Sequence, residues 1–151
     1  MHSGPDPASG PEGPLHLVFP GTMLSVRDAL RRVARSAPVK GLSPADRGTV
    51  ELVLAEVLNN IVEHAYRHSP GDIALTLTRL PDGLAVQVTD TGSAMPGCSL
   101  PAGNLPEGLD GPAAALPEGG FGWYLVHNLT RELVYHRMAG QNRLGFTLPI
   151  G

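Results

Sequence analysis

Apolar positions recur along this chain in two rhythms. Val50, Val53, Leu54, Val57, Leu58, Ile61, Val62 and Ala65 keep the i, i+3, i+4 spacing that lays one side of a helix on a core. Ser43 can cap that helix, Pro44 suits its first position and Asp46 stands three residues past the cap, so the helix starts there. An earlier helix is predicted from a Ser25 cap with Asp28 as its acidic third residue, through Leu30, Val33 and Ala34, to a stop at Pro38. A third, carrying Leu125, Val126 and Leu129, follows Gly120 and Gly122.

The second rhythm is alternation. Residues 15–19 suit a short strand at a sheet edge, ended by Pro20 and Gly21. Ile73, Leu75 and Leu77, then Leu84, Val86 and Val88, flank Pro81-Asp82-Gly83 and predict an antiparallel hairpin that ends at Asp90. Residues 132–137 and 143–148 read as two closing strands around Ala139-Gly140-Gln141-Asn142. Over residues 95–118 the periodicity vanishes among prolines and glycines. A segment of that length without pattern is functional or disordered.

With 151 residues the chain has room for one core, so any chemistry has one pocket to share. A net charge of −3 offers no basic face for a row of phosphates, which argues against nucleic acid as a partner. Cys98 is the one cysteine; it excludes an internal disulfide and a thiolate metal cluster and fits a reducing compartment. Residues 1–13 are rich in Pro, Gly and Ser without an apolar run, which predicts a disordered tail rather than a secretory leader. No stretch approaches the ~20 apolar residues of a membrane span, so a cytoplasmic protein is expected.

Three polar features can carry chemistry. Glu56, Asn60 and His64 stand at i, i+4 and i+8, which places them within roughly 80° of one another on one helix face; a solvated face explains the stripe equally well. Asp90 ends a strand before Thr91-Gly92, where a carboxylate can accept a ligand amine while the glycine lets backbone approach; such an aspartate is also an ordinary turn residue. Gly119-Gly120-Phe121-Gly122 precedes a helix, so its amides can hold an anion, or simply close a tight loop.

Taken in order, Glu56-x-x-x-Asn60-x-x-x-His64-Ala65-Tyr66, Asp90-Thr91-Gly92, Gly119-Gly120-Phe121-Gly122-Trp123-Tyr124-Leu125 and Asn142-Arg143-Leu144 resemble the anti-sigma factor serine/threonine kinases of the GHKL, histidine-kinase-like ATPase superfamily. The resemblance spans residues 15–150. It implies an α/β (α+β) two-layer sandwich of the Bergerat type, a mixed, mostly antiparallel sheet covered on one face by about three helices. The ATPase domain would occupy residues 14–151, with an ATP lid at about 95–118.

By the same resemblance the cofactors are ATP and Mg²⁺. Asn60 would ligate the metal, and Glu56 would be the catalytic base for an attacking hydroxyl. Asp90 would accept the adenine amino group with Gly92 beneath the ring, and Gly120 and Gly122 would serve the phosphates. His64 would either touch ATP or support the pocket wall. The implied partners are a sigma factor and a small antagonist of the sulphate-transporter-and-anti-sigma (STAS) type, phosphorylated on serine or threonine in a partner-switching circuit; a homodimer is also implied as possible. One departure matters: no lysine or arginine lies between Arg79 and Arg131, whereas a transferring phosphoryl group needs cationic support. That leaves two alternatives, a nucleotide-gated binding module with little kinase activity and a detached domain that phosphorylates histidine on another chain.

Overall fold

The computed structural model describes residues 13–100 and 120–150. Of the expected tail only Gly13 falls within these, and of the expected lid only residues 95–100. Five strands form one sheet in the order β1-β2-β3-β5-β4: β1 (Leu15–Pro20), β2 (Asp72–Leu80), β3 (Gly83–Asp90), β4 (Arg131–Met138) and β5 (Gln141–Pro149). Each neighbouring pair is antiparallel, a stricter pattern than the mixed sheet expected, and β1 lies at an edge as its pattern foretold.

Alternation decides which face is covered. Leu17, Phe19, Ile73, Leu75, Leu77, Leu84, Val86, Val88, Leu144, Phe146 and Leu148 are buried, and all point to the side where the helices lie, as period-two side chains must. Helix α3 (Pro44–Asn60) lays Val50, Val53, Leu54, Val57 and Leu58 on them. Its start is the predicted one, with the Ser43 side chain accepting from the Asp46 N–H at 3.1 Å and Pro44 in the first turn. Helix α4 (Gly120–Leu129) adds Trp123 and Val126.

Two boundaries differ from the sequence reading. Helix α1 (Met23–Ala34) is capped by Thr22, not Ser25; the Thr22 hydroxyl accepts the Ser25 N–H at 3.1 Å. β1 ends at Pro20, so the chain is free to turn three residues earlier and Ser25 becomes one of the first-turn donors that a cap serves. Pro38 does not simply stop a helix either. After α1 ends, it sits inside a separate single turn, α2 (Ala37–Lys40), where an early-turn proline loses no hydrogen bond. That makes four α-helices among the described residues, three of them of ten residues or more.

Beyond Asn60 the ladder changes pitch. Ile61–Ala65 form a π-helical turn closed by the Tyr66 N–H on the Ile61 carbonyl at 3.0 Å. Such turns concentrate at functional sites, and this one faces the end of β3.

Candidate functional site

The Asp90-Thr91-Gly92 turn is held from two sides. On one, the Tyr66 hydroxyl donates to the Asp72 carbonyl at 2.5 Å and accepts the Thr91 N–H at 2.8 Å, while the Ser93 N–H donates to the Ala65 carbonyl at 2.8 Å. Gly92 packs directly on Ala65, and a Cβ there would collide with the Ala65 carbonyl; this is a close approach of backbone to backbone that only glycine permits. On the other side, Arg137 on β4 donates through Nη1 to the Gly92 carbonyl at 2.6 Å.

Asp90 itself is 5% exposed. Its Oδ1 accepts the Gly92 N–H at 2.9 Å and the Asn142 amide at 2.8 Å. Register puts Asn142 there, because Asn142 is the cross-strand partner of Asp90 on one side and of Arg137 on the other. Asn142 is saturated: its Oδ1 accepts from Tyr135 at 2.5 Å and Arg137 at 3.1 Å, and its Nδ2 also donates to the Ser93 carbonyl at 2.8 Å. No described residue bonds the other carboxylate oxygen, Oδ2, which is left for a ligand donor. Burial pushes the Asp90 carboxyl above its ordinary value of 3.8, against the opposing pull of the Asn142 and Gly92 hydrogen bonds and the Arg137 charge.

Across from this turn stands the polar face of α3. Asn60 is half-buried at its last position and its amide has no hydrogen bond to a described residue. Glu56, one turn earlier, reaches the start of α4, where a Cβ on Gly122 would run into its carboxylate Oε2. Gly122 therefore gives Glu56 the room it occupies. The Glu56 carboxylate likewise has no polar partner among the described residues.

A cavity of about 540 Å³ joins the two ends, with Asn60, His64, Arg67, Asp90, Trp123 and Asn142 in its wall; this is a volume suited to a nucleotide-sized ligand. The predicted residues are distributed around it unevenly. Asn60, His64 and Asp90 line it, Gly92 backs the turn from behind, and Glu56 meets Gly122 beside it. Gly120 is the first residue of α4. His64 is exposed, and its Nδ1 lies 3.3 Å from Arg67 Nη2. The donor set fits a magnesium-bound nucleotide: the unengaged Asn60 amide and the open Asp90 oxygen line one space, and the unengaged Glu56 carboxylate lies beside it against Gly122. No cluster of three His, Cys, Asp or Glu occurs among the described residues, so a metal here would draw most of its oxygens from the ligand and water, as Mg²⁺ does.

Tyr135, Arg137 and the position of Asn142 beside Asp90 were not foreseen. The signal was present in the alternation of residues 132–137, which sets Tyr135 and Arg137 on the face of Leu133. It was hidden by reading Ala139-Gly140-Gln141-Asn142 as a four-residue loop. The turn is only Ala139 and Gly140, and Asn142 belongs to β5.

A two-layer sandwich with these polar ends defines a class. Residues 19–148 match the histidine kinase-like ATPase domain, and the chain belongs to that family. Among its relatives, the serine-protein kinase RsbW of Bacillus mycoides (strain KBAB4) is 29% identical over 93 residues, and that of Bacillus cereus (strain AH187) is 30% identical over 93 residues. Each alignment covers 62% of this chain and 58% of the relative, so the chain spans less than two thirds of the length of the curated relatives it matches. The fold is shared with the crystal structure of the RsbU and RsbW domains of Rv1364c from Mycobacterium tuberculosis, with a TM-score of 0.56 at 18% identity over 91% of this chain and 32% of that one. No described helix is long and apolar enough to cross a membrane.

Proposed function

We propose that this domain binds ATP with Mg²⁺ and acts as a protein serine/threonine kinase on a STAS-type antagonist, restraining a sigma factor in the same circuit. The observation that carries the reading is the unengaged Asn60 amide in the cavity wall with the open Asp90 Oδ2 across from it, and the unengaged Glu56 one helical turn from Asn60 beside the cavity. The relatives named as serine-protein kinases support the choice of hydroxyl acceptor.

Asp90 Oδ2 accepts the adenine amino group, and Gly92 lets the ring lie close to the turn. Asn60 holds the metal through its amide oxygen; when bound, Mg²⁺ supplies charge neutralisation to the phosphates. Glu56 takes the proton of the partner's hydroxyl as it attacks, and Gly120 and Gly122 leave the phosphates access to the first amides of α4. Residues 95–118 serve as the lid, and residues 1–13 as a tail outside the domain. Arg67, which donates to His64 Nδ1, gives the cavity edge its positive charge and is its one arginine among the described residues.

Purified protein, Mg²⁺, γ-labelled ATP and the antagonist should give an acid-stable phosphoserine or phosphothreonine on the antagonist. Complete absence of labelled partner, with ATP demonstrably bound, would end the kinase reading. A second reading is favoured by one observation: Arg137 is already committed to Gly92 and Asn142, and the stretch between Arg79 and Arg131 supplies no other cation. In that case the domain is a nucleotide-gated clamp, and ATP-dependent partner binding survives Glu56→Ala.

A further inference from the structure

We infer that Asn142, locked in one orientation by Tyr135 and Arg137, is the positioning residue that makes this pocket take a 6-amino purine and refuse a 6-oxo purine. The inference rests on the nucleotide-binding reading above and adds to it the residues that set base selectivity.

The argument starts from the hydrogen-bond capacity of the amide. A side-chain amide can turn over and exchange its oxygen for its nitrogen. Here two donors, the Tyr135 hydroxyl at 2.5 Å and Arg137 Nη1 at 3.1 Å, converge on Oδ1. Two acceptors, Asp90 Oδ1 at 2.8 Å and the Ser93 carbonyl at 2.8 Å, converge on Nδ2. Turned over, the amide would face donor with donor at Arg137 and oxygen with oxygen at Asp90 and Ser93, and it would give up the charge-assisted bonds at Arg137 and Asp90, with only the Tyr135 hydroxyl able to accept in place of donating. The N–H towards Asp90 is thereby fixed.

That N–H decides what Asp90 can read. With its Oδ1 occupied by the Asn142 and Gly92 donors, the carboxylate presents Oδ2 as a pure acceptor. A 6-amino group donates to it; a 6-oxo group meets it lone pair to lone pair. Remove the Asn142 donor, and the buried carboxyl holds a proton more readily, with either oxygen able to carry it. A protonated Oδ2 donates to a 6-oxo group, so the distinction between the two bases shrinks. The groups that share this environment are Tyr66, His64, Arg67 and His68 after α3, and Tyr135 and Arg137 on β4. Among them only Arg137 and Tyr135 touch Asn142.

The test is calorimetric titration of wild type, Asn142→Leu and Tyr135→Phe with ATP and with inosine triphosphate, its 6-oxo counterpart, at neutral pH. Asn142→Leu should reduce the ratio of ATP to inosine triphosphate affinity by about tenfold or more. Tyr135→Phe, which leaves Asn142 in place but removes one of the two donors on its Oδ1, should reduce it by about threefold. A purely structural role would weaken both nucleotides alike and leave the ratio unchanged, and that result overturns the inference. If Asn142→Leu does not fold, Tyr135→Phe decides alone, by the same ratio. Wild-type protein that binds neither nucleotide removes the underlying reading as well, an outcome distinct from wild type that discriminates and variants that discriminate equally.

Discussion

The two ends of the cavity are built on opposite plans. At the sheet end, Asp90, Asn142, Tyr135 and Arg137 sit on β3, β5 and β4 in adjacent register and satisfy one another, leaving a single carboxylate oxygen open. At the helix end, Glu56 and Asn60 stand one turn apart on α3 with no polar partner among the described residues. The contrast follows from what each end has to meet. A base is a rigid pattern of donors and acceptors, best read by groups already fixed and already desolvated. A metal ion with phosphates brings its own oxygens and charge, so the protein leaves valences open for it.

The largest effect should come from separating the ends at Glu56. Glu56→Gln keeps size and loses the base, so phosphoryl transfer to the antagonist should drop by about 100- to 10,000-fold, with ATP affinity nearly unchanged in calorimetry. If affinity fell in step with transfer, Glu56 would belong to binding, and the division of labour between the two ends would be wrong.

Next in size is a change that attacks the junction. Gly92→Ala drives a methyl into the Ala65 carbonyl, which is backbone and cannot swing aside. Overpacking of that kind costs about 1–3 kcal/mol, and the upper end of the range is expected in denaturant melts. Gly122→Ala makes an instructive partner, since it meets only the flexible end of Glu56. It should leave the melt almost unmoved while slowing transfer, because the carboxylate is displaced rather than the fold. Equal destabilisation by the two alanines would contradict the distinction drawn between backbone and side-chain contact.

Asp90→Asn sharpens the comparison at the sheet end. The new amide keeps an oxygen for the Gly92 and Asn142 donors but turns a donor towards the ligand. ATP affinity should weaken by about 1–3 kcal/mol, the cost of an unpaired buried polar contact. Unchanged affinity would remove Asp90 from base recognition.

How far these ends were legible in the sequence depends on what kind of information each needs. Helix α3, its Ser43 cap and its apolar stripe follow from local spacing, and so do the hairpin strands β2 and β3. The ordered motifs located Asn60, Asp90 and Gly122 well enough to identify the family. Asn142 was another matter. It touches Asp90 across 52 positions of chain, and alternation within a strand says nothing about its register against a distant one. Two extra residues assigned to the Ala139-Gly140 turn were enough to remove it from the sheet. The π-helical turn is equally silent, because the i, i+4 list of Glu56, Asn60 and His64 reads the same whether the ladder closes at four residues or at five. Thr22 and Ser25 both have the chemistry of a cap, and the end of β1 at Pro20 chose between them.

The smallest expected effect concerns acid. Asp90 has a folded-state pKa above its ordinary value of 3.8, with burial as the dominant cause, so the folded chain holds a proton that the unfolded chain has already released. Between 3.8 and the raised value the native state therefore binds more protons, and by linkage this group's contribution to stability declines as pH rises through that window. Asp90→Asn removes this proton equilibrium without removing the Oδ1 acceptor. Its melting temperature at neutral pH should equal or exceed that of wild type, and the difference should close on acidification towards 3.8. ATP binding by wild type should run the other way, weakening as pH falls and Oδ2 gains its proton. His64 and His68 line the same cavity in both proteins, so the part of the binding profile that Asp90→Asn abolishes belongs to Asp90. A variant that melts below wild type at neutral pH would mean that the Asp90 charge stabilises the fold through Arg137 instead of costing it stability by burial.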